Sequence, residues 1–255
     1  VKPGVSPLTA AEIETRIGPH LDELLALWWA EQGADKPRDL NLIASSIPFA
    51  HDEPLRVLDL CCGPGDVGRA IHHEFPNAEI DGVDRDSFLA TICAIVNQRR
   101  QIPGAINVAD LNDSFWQFGL SGPYDVIATV NALHWFAPPS AEQLAQDIHA
   151  LLRSGGIFLF AEPAATAAPF AAGVDTWKAK QPQRYSRKAW ENFWSRANAL
   201  LGYDHTQHLG PRDANRIDDT LTVAGWTDLI QNAGFTITDV LWRDADQVII
   251  AALKP

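Results

Sequence analysis

Residues Val57-Leu58-Asp59-Leu60-Cys61-Cys62-Gly63-Pro64-Gly65-Asp66-Val67-Gly68 form one continuous signal. An apolar strand runs into a glycine loop, and the loop opens a helix. Asp84 and Asp110 follow at the ends of the next two strand-like runs. A chain written this way alternates strands with helices and gathers its ligand at the carboxyl ends of the strands. Carboxylates at three successive tips line a nucleoside pocket with negative charge, so the charge of the preferred ligand becomes the deciding question.

The rest of the chain supports that organisation. Thr9 and Glu12 make a capping-box pattern, and Ile13, Ile17, Leu21, Leu24, Leu25 and Trp28 then recur at helical spacing. A second helix is expected over 40–47. Strands are expected over 55–60, 79–83, 105–109, 124–130 and 157–161. Helices are expected over 66–75, 86–99 and 140–152, the last ended by Gly155-Gly156. Such alternation implies a Rossmann-like, doubly wound, mostly parallel sheet with helices on both faces. The pattern breaks over 163–223, which holds Phe170, Trp177, Tyr185, Trp190, Phe193, Trp194 and Tyr203 but no clean strand. It returns with a helix over 226–233 and strands over 235–242 and 247–253, joined by a polar turn as an antiparallel hairpin. We therefore divide the chain into an N-terminal helical segment (1–54), a core (55–162 and 224–255) and a substrate-covering insertion (163–223).

Bulk properties narrow the partners. The chain has 255 residues, 46% of them hydrophobic, enough for one large α/β domain with an insertion. A formal net charge of −12, with no long basic run, disfavours nucleic acids and anionic membranes. None of the three cysteines, Cys61, Cys62 and Cys93, has zinc-finger spacing, which fits a reducing cytoplasm. There is no apolar run of membrane-spanning length and no signal-peptide pattern at the N-terminus. The lack of any Met is expected from N-terminal processing or trimming.

Gly63, Gly65 and Gly68 fit the G-x-G-x-x-G spacing that dinucleotide enzymes share. A diphosphate needs backbone N–H donors and no competing anion. Pro64 deletes one N–H, and Asp59 brings a carboxylate to the loop, where like charges repel by about 4 kcal/mol at close range. S-adenosylmethionine carries no phosphate, and its sulfonium and ammonium outweigh its one carboxylate, so Asp59 attracts it. Asp84 can accept from ribose hydroxyls in either cofactor, and Asp110 from the adenine amino group. The plainer alternative makes all three acids loop caps and surface charges.

The segments 57–65, 82–85, 108–111, 124–136 and 151–156, with the ending from Trp226, resemble the class I S-adenosylmethionine-dependent methyltransferases. The resemblance implies a seven-stranded sheet with an antiparallel last strand. It also implies S-adenosylmethionine as cofactor and S-adenosylhomocysteine as product. Carried over by position, Asp59, Cys61, Gly63 and Gly65 line the methionine portion and Asn131 gives that end a backbone contact. Asp84 binds the ribose, Arg85 flanks the adenine, and Asp110 with Leu111 contacts it. The family often has glycine where this chain has Cys61, whose side chain must tuck aside or narrow the pocket.

Methyl transfer from a sulfonium leaves the protein to position the acceptor, exclude water and, for some acceptors, remove a proton. The fourth strand runs into Asn131-Ala132-Leu133-His134-Trp135-Phe136, so His134 is the candidate base or acceptor-orienting group, against the alternative of a structural histidine. This loop lacks the Asp/Asn-Pro-Pro-aromatic run of nucleobase-methylating relatives. Trp135, Glu162 at the end of strand five, Trp177, Trp190 and Trp194 of the insertion, and Trp28 are candidates to meet a small-molecule acceptor. His205 and His208 have tolerable metal spacing without a third partner, so no metal is assigned. The expected reaction is methyl transfer to oxygen or nitrogen, with carbon as a further option. The rivals are a Rossmann-type nucleotide-dependent oxidoreductase and a non-catalytic S-adenosylmethionine-binding protein on the same fold.

Overall fold

The computed structural model describes residues 8–32, 36–180, 186–205, 215–218 and 220–255. Three helices lead in: α1 (Ala10–Ile17), α2 (Leu21–Gln32) and α3 (Lys36–Ser45). The expected capping box is formed, with the Glu12 amide and side chain bonded reciprocally to Thr9. The single first helix read from spacing is broken by a 3₁₀ turn at Gly18–His20, because Pro19 has no N–H to continue the α ladder.

The core follows as β1 (Arg56–Leu60), α4 (Asp66–Glu74), β2 (Glu79–Asp84), α5 (Ser87–Arg100), β3 (Ile106–Val108), β4 (Tyr124–Val130), α6 (Pro138–Leu151) and β5 (Leu152–Pro163). The insertion contributes α7 (Ala171–Lys178) and α8 (Arg187–Leu201), and the chain closes with α9 (Val223–Asn232), β6 (Ile237–Asp244) and β7 (Gln247–Leu253). The seven strands lie in the order β3-β2-β1-β4-β5-β7-β6, and β7 is antiparallel to both neighbours. Strand order reverses between β1 and β4, which opens the ligand crevice at their carboxyl ends. Gly155-Gly156 does not end α6 as expected. Both glycines lie inside β5, where the pairing of β4 with β5 jumps from Tyr124↔Leu152 to Val126↔Ile157, and Gly155 takes a φ of +74°.

Period-two alternation splits the sheet's side chains between two cores. Leu58, Leu60, Ile127, Phe158 and Phe160 face α6 and α9, meeting Leu144, Ile148, Trp226 and Ile230. Val57, Val126, Ala128 and Leu159 face α3 and α4, meeting Ile43, Val67 and Ile71. Each such fully buried Val, Leu, Ile or Phe side chain stabilises the fold by roughly 1.5–3 kcal/mol. A third cluster binds the lead-in helices to the insertion: Ile13, Ile17, Leu24 and Trp28 pack with Phe88 and Ile92 of α5 and with Phe193, Trp194 and Leu201 of α8.

Candidate functional site

The glycine loop grows out of β1 through a left-handed residue, Cys61, with φ +52°. Gly63 and Gly65 follow at φ +51° and +85°, so the turn uses three positive-φ positions and only two of them are glycine. Gly65 is the N-cap of α4. Gly68 serves close approach: a Cβ there would stand 2.6 Å from Ile80 and 3.2 Å from an Asp59 oxygen.

Asp59 is 2% exposed, and its Oδ2 accepts from the Gly68 amide at 2.8 Å. Its Oδ1 is buried without a hydrogen-bond partner among the described residues. Burial, with some repulsion from Asp66 and Asp84, pushes its carboxyl up to about 8. Asp84 accepts from the Gly63 amide and the Asp86 amide, each at 2.8 Å, and burial pushes it up to about 6. Asp110, more exposed, accepts from the Asn112 amide and side chain at 3.0 Å and stands 3.6 Å from Arg85. Leu111 is buried beside it. Burial raises the Cys61 thiol well above its ordinary value, and Asp84, Glu162, Asp59 and Asp110 all add to that rise, so the acids converge around one point.

The loop after β4 is held by a carboxylate. Asn131 turns the chain at φ +55°, its amide donating to the Ala161 carbonyl at 2.8 Å. Glu162 then lies 0% exposed beneath the loop. Its Oε1 accepts from the Ala132 and Leu133 amides at 2.8 and 2.7 Å, and its Oε2 lies 2.7 Å from Nδ1 of His134. The expectation that Glu162 meets the acceptor is therefore corrected: it is fully buried and engaged in anchoring the loop and its histidine. The imidazole lies tilted against Trp135, ring centroids 4.7 Å apart, and the His134 carbonyl accepts from the Asp218 amide at 2.8 Å.

The insertion's aromatics divide. Trp194 is 7% exposed among Phe88, Phe193, Trp190 and His205, so it belongs to the third core and offers no open face to an acceptor. Trp190 is partly buried on the same cluster, whereas Trp177 is 46% exposed. Trp28 packs on the glycine loop: its ring lies 3.6 Å from where a Cβ on Gly63 would stand, and its indole N–H donates to Asp66 at 2.8 Å. His205 is bonded through Nε2 to Asp86 at 2.7 Å, while His208 lies outside the described residues.

Sequence reasoning missed two acids. Asp66, 5% exposed, accepts from Trp28 and pairs with Lys36 and Arg69; burial opposes its ionisation, but those cations outweigh burial and hold its carboxyl below the ordinary value. Asp86 caps α5 through the Phe88 and Leu89 amides and receives His205. Asp86 had a readable signal as an N-cap acid; for Asp66 only the i,i+3 pairing with Arg69 was local, whereas Trp28 and Lys36 come from a distant part of the chain.

Fold and site together define a nucleoside-cradling, doubly wound protein whose cradle is acidic. Residues 57–156 match a family model described as a methyltransferase domain. The chain is 30% identical over 130 residues to a trans-aconitate 2-methyltransferase of Variovorax paradoxus, covering 51% of this chain and 46% of that one. The matched part spans less than half the length of the first curated relatives. Among solved structures, the CurJ carbon methyltransferase aligns over 89% of this chain and 57% of its own at 18% identity, with a TM-score of 0.60. Human N-acetylserotonin methyltransferase, solved with S-adenosylmethionine, aligns over 97% and 60% at 16% identity, with a TM-score of 0.54. Residues 57–156 thus form a methyltransferase domain, on a fold similar to that of the S-adenosylmethionine-dependent methyltransferases. The residues fit that cofactor: Asp59 presents a buried carboxylate oxygen with no donor, which an ammonium satisfies and a diphosphate does not.

Proposed function

We propose that this protein transfers the methyl group of S-adenosylmethionine to a small-molecule acceptor whose reacting atom must first lose a proton. The observation that carries this reading is the pairing of buried Glu162 with partly exposed His134, 2.7 Å apart. Glu162 accepts from Nδ1–H, which fixes the tautomer and turns Nε2 outward as the proton acceptor. An acceptor that is already a carboxylate has no use for such a pair, so a hydroxyl, an amine or an acidic carbon is the better match.

Asp59, Asp84, Asp110 and Leu111, with the loop amides at Gly63 and Gly65 and the Asn131 backbone, would hold the cofactor, which supplies a methyl group already activated by sulfonium. Arg85 would flank the adenine. Trp135 and Trp177 would meet the acceptor from the loop and the insertion, with Trp190 at their edge. The acidic surface and free cysteines favour a small molecule over nucleic acid and a reducing cytoplasm as the setting.

The test is incubation with methyl-labelled S-adenosylmethionine and a metabolite extract, with labelled products identified by mass. Wild-type protein should label a product and His134→Ala should not. Cofactor binding with no label in any pool would favour the non-catalytic alternative. No described helix is long and apolar enough to cross a membrane, so the assay needs no lipid.

A further inference from the structure

Helix α2 is apolar on two sides. Leu21, Leu24 and Trp28 face the third core. Ala26 and Trp29, with the edge of Leu25, form a second apolar stripe, and Trp29 stays 36% exposed. A helix with two apolar sides needs cover on both. The second stripe borders a cavity of about 520 Å³, closed on its apolar part by Leu40 of α3 and Ala70 of α4. That volume lies within the roughly 300–1,000 Å³ of small-ligand pockets.

The cavity is separate from the crevice at the strand tips. On α4 it is lined by Asp66, Arg69, Ala70 and His73, spaced i, i+3, i+4 and i+7 along one stripe. Val67 and Ile71 turn the other way, into the core against the sheet. The cavity therefore lies on the outer face of α4, and none of Asp59, Asp84, Asp110 or His134 lines it. Its charge also runs against the rest of the molecule, whose net charge is −12. The one acid in the lining, Asp66, is already answered by Arg69 and Lys36. Arg100, at the end of α5, is exposed and makes no hydrogen bond or ion pair among the described residues.

We infer that this cavity is a second binding site, for a small organic anion with an apolar body, of the class of aromatic or medium-chain carboxylates. The body packs between Trp29, Leu40 and Ala70, and the anionic head meets Arg100, with His73 as a further donor. A second copy of this chain is the weaker occupant, because two bodies of the same high negative charge repel. The inference stands independently of the cofactor reading.

The probe is anilinonaphthalene sulfonate, an aromatic anion that fluoresces in apolar surroundings, titrated into the full chain and then displaced by octanoate or by uncharged octanol. It should saturate at a single site per chain, and saturating S-adenosylhomocysteine should leave it in place. Arg100→Gln should weaken octanoate by about three- to tenfold and leave octanol within about twofold. Ala26→Trp, at an exposed position, should fill the cavity and weaken both by more than about tenfold. Should Ala26→Trp melt far below wild type, Trp29→Ser, which removes a wall, should weaken both by about fivefold. Displacement of the probe by S-adenosylhomocysteine would put it in the crevice and end the case for a separate site, as would a wild type that binds no probe or cavity variants that bind as wild type does. Loss in the cavity variants with none in Arg100→Gln would overturn the anionic class. A wild-type dimer that Trp29→Lys turns into monomers would assign the face to a second copy and remove the small ligand.

Discussion

Asp59 and Glu162 are two buried carboxylates at the same edge of one sheet, and their surroundings differ in one respect. Glu162 is saturated: two amides and an imidazole meet its oxygens within 2.8 Å. Asp59 receives one amide on Oδ2, and its Oδ1 has no partner among the described residues. A carboxylate whose partners all come from the fold is scaffold, and it sets the geometry of what it holds. One left half-satisfied at a ligand crevice raises the free energy of the ligand-free protein and returns it when a cation arrives. The two acids thus differ in role: one is spent on holding the loop and its histidine, and the other keeps an oxygen open toward the crevice.

The largest effect expected is on the base that Glu162 holds. His134→Ala should lower kcat by about 10²–10⁴-fold while cofactor affinity, read by titration, stays within about twofold. Glu162→Gln breaks the comparison from the scaffold side. The amide can still accept from Ala132 and Leu133, but its –NH₂ then faces Nδ1 and drives the imidazole to the tautomer that protonates Nε2. We expect kcat to fall by about 10–10²-fold, since Nε2 then carries the proton and cannot accept another. A Glu162→Gln enzyme with normal kcat would reduce Glu162 to a loop anchor.

Asp59→Asn sharpens the other side. The folded-state carboxyl stands at about 8 against an ordinary 3.8, so folding takes up a proton. Stability from this group is complete below the unfolded value, erodes as pH rises through the interval, and is gone above about 8. Asp84, at about 6, adds to the same slope in its lower half. Ligand-free Asp59→Asn should therefore melt several degrees above wild type at about pH 8.5 and lie near it at about pH 4. It should bind the cofactor about 10–100-fold more weakly, having lost the ammonium's partner. Near neutral pH, wild-type binding should release up to about one proton as Asp59 ionises, seen as a dependence of titration heat on buffer. The variant should release almost none.

Much of this was written locally. β4 and β7 have the bounds read from sequence, because β-branched runs between turn residues leave little choice. The tip acids were legible because each ends a strand at a place the topology makes functional. Glu162 was placed on the right tip and given the wrong partner: nothing in sequence says whether a side chain points into a crevice or under the loop that closes it. Trp194 failed for a related reason. Its helix carries Trp190, Phe193 and Trp194 on one face, and spacing alone does not say that α2 and α5 dock on that face and make it core. Gly155-Gly156 has the composition of a helix end but folded as an irregular stretch of strand, held to Lys254 by reciprocal amide bonds of 3.0 and 2.9 Å.

The smallest effect expected concerns the floor between the two acids. Cys61 holds a left-handed conformation at φ +52°, at a cost of roughly 1–2 kcal/mol for a residue with a Cβ. Cys61→Gly removes that strain, gives up the thiol's partial packing on the core, and adds roughly 0.5–1 kcal/mol of unfolded-state entropy. The terms nearly cancel, so the melting temperature should move by less than about 3 °C. Affinity should respond more visibly, since a bare backbone lets the cofactor approach the floor that Asp59 and Asp84 flank; a gain of about two- to fivefold is expected by titration. If affinity falls while stability holds, the sulfur is itself part of the cradle's wall, and the cysteine is a contact that shapes the pocket.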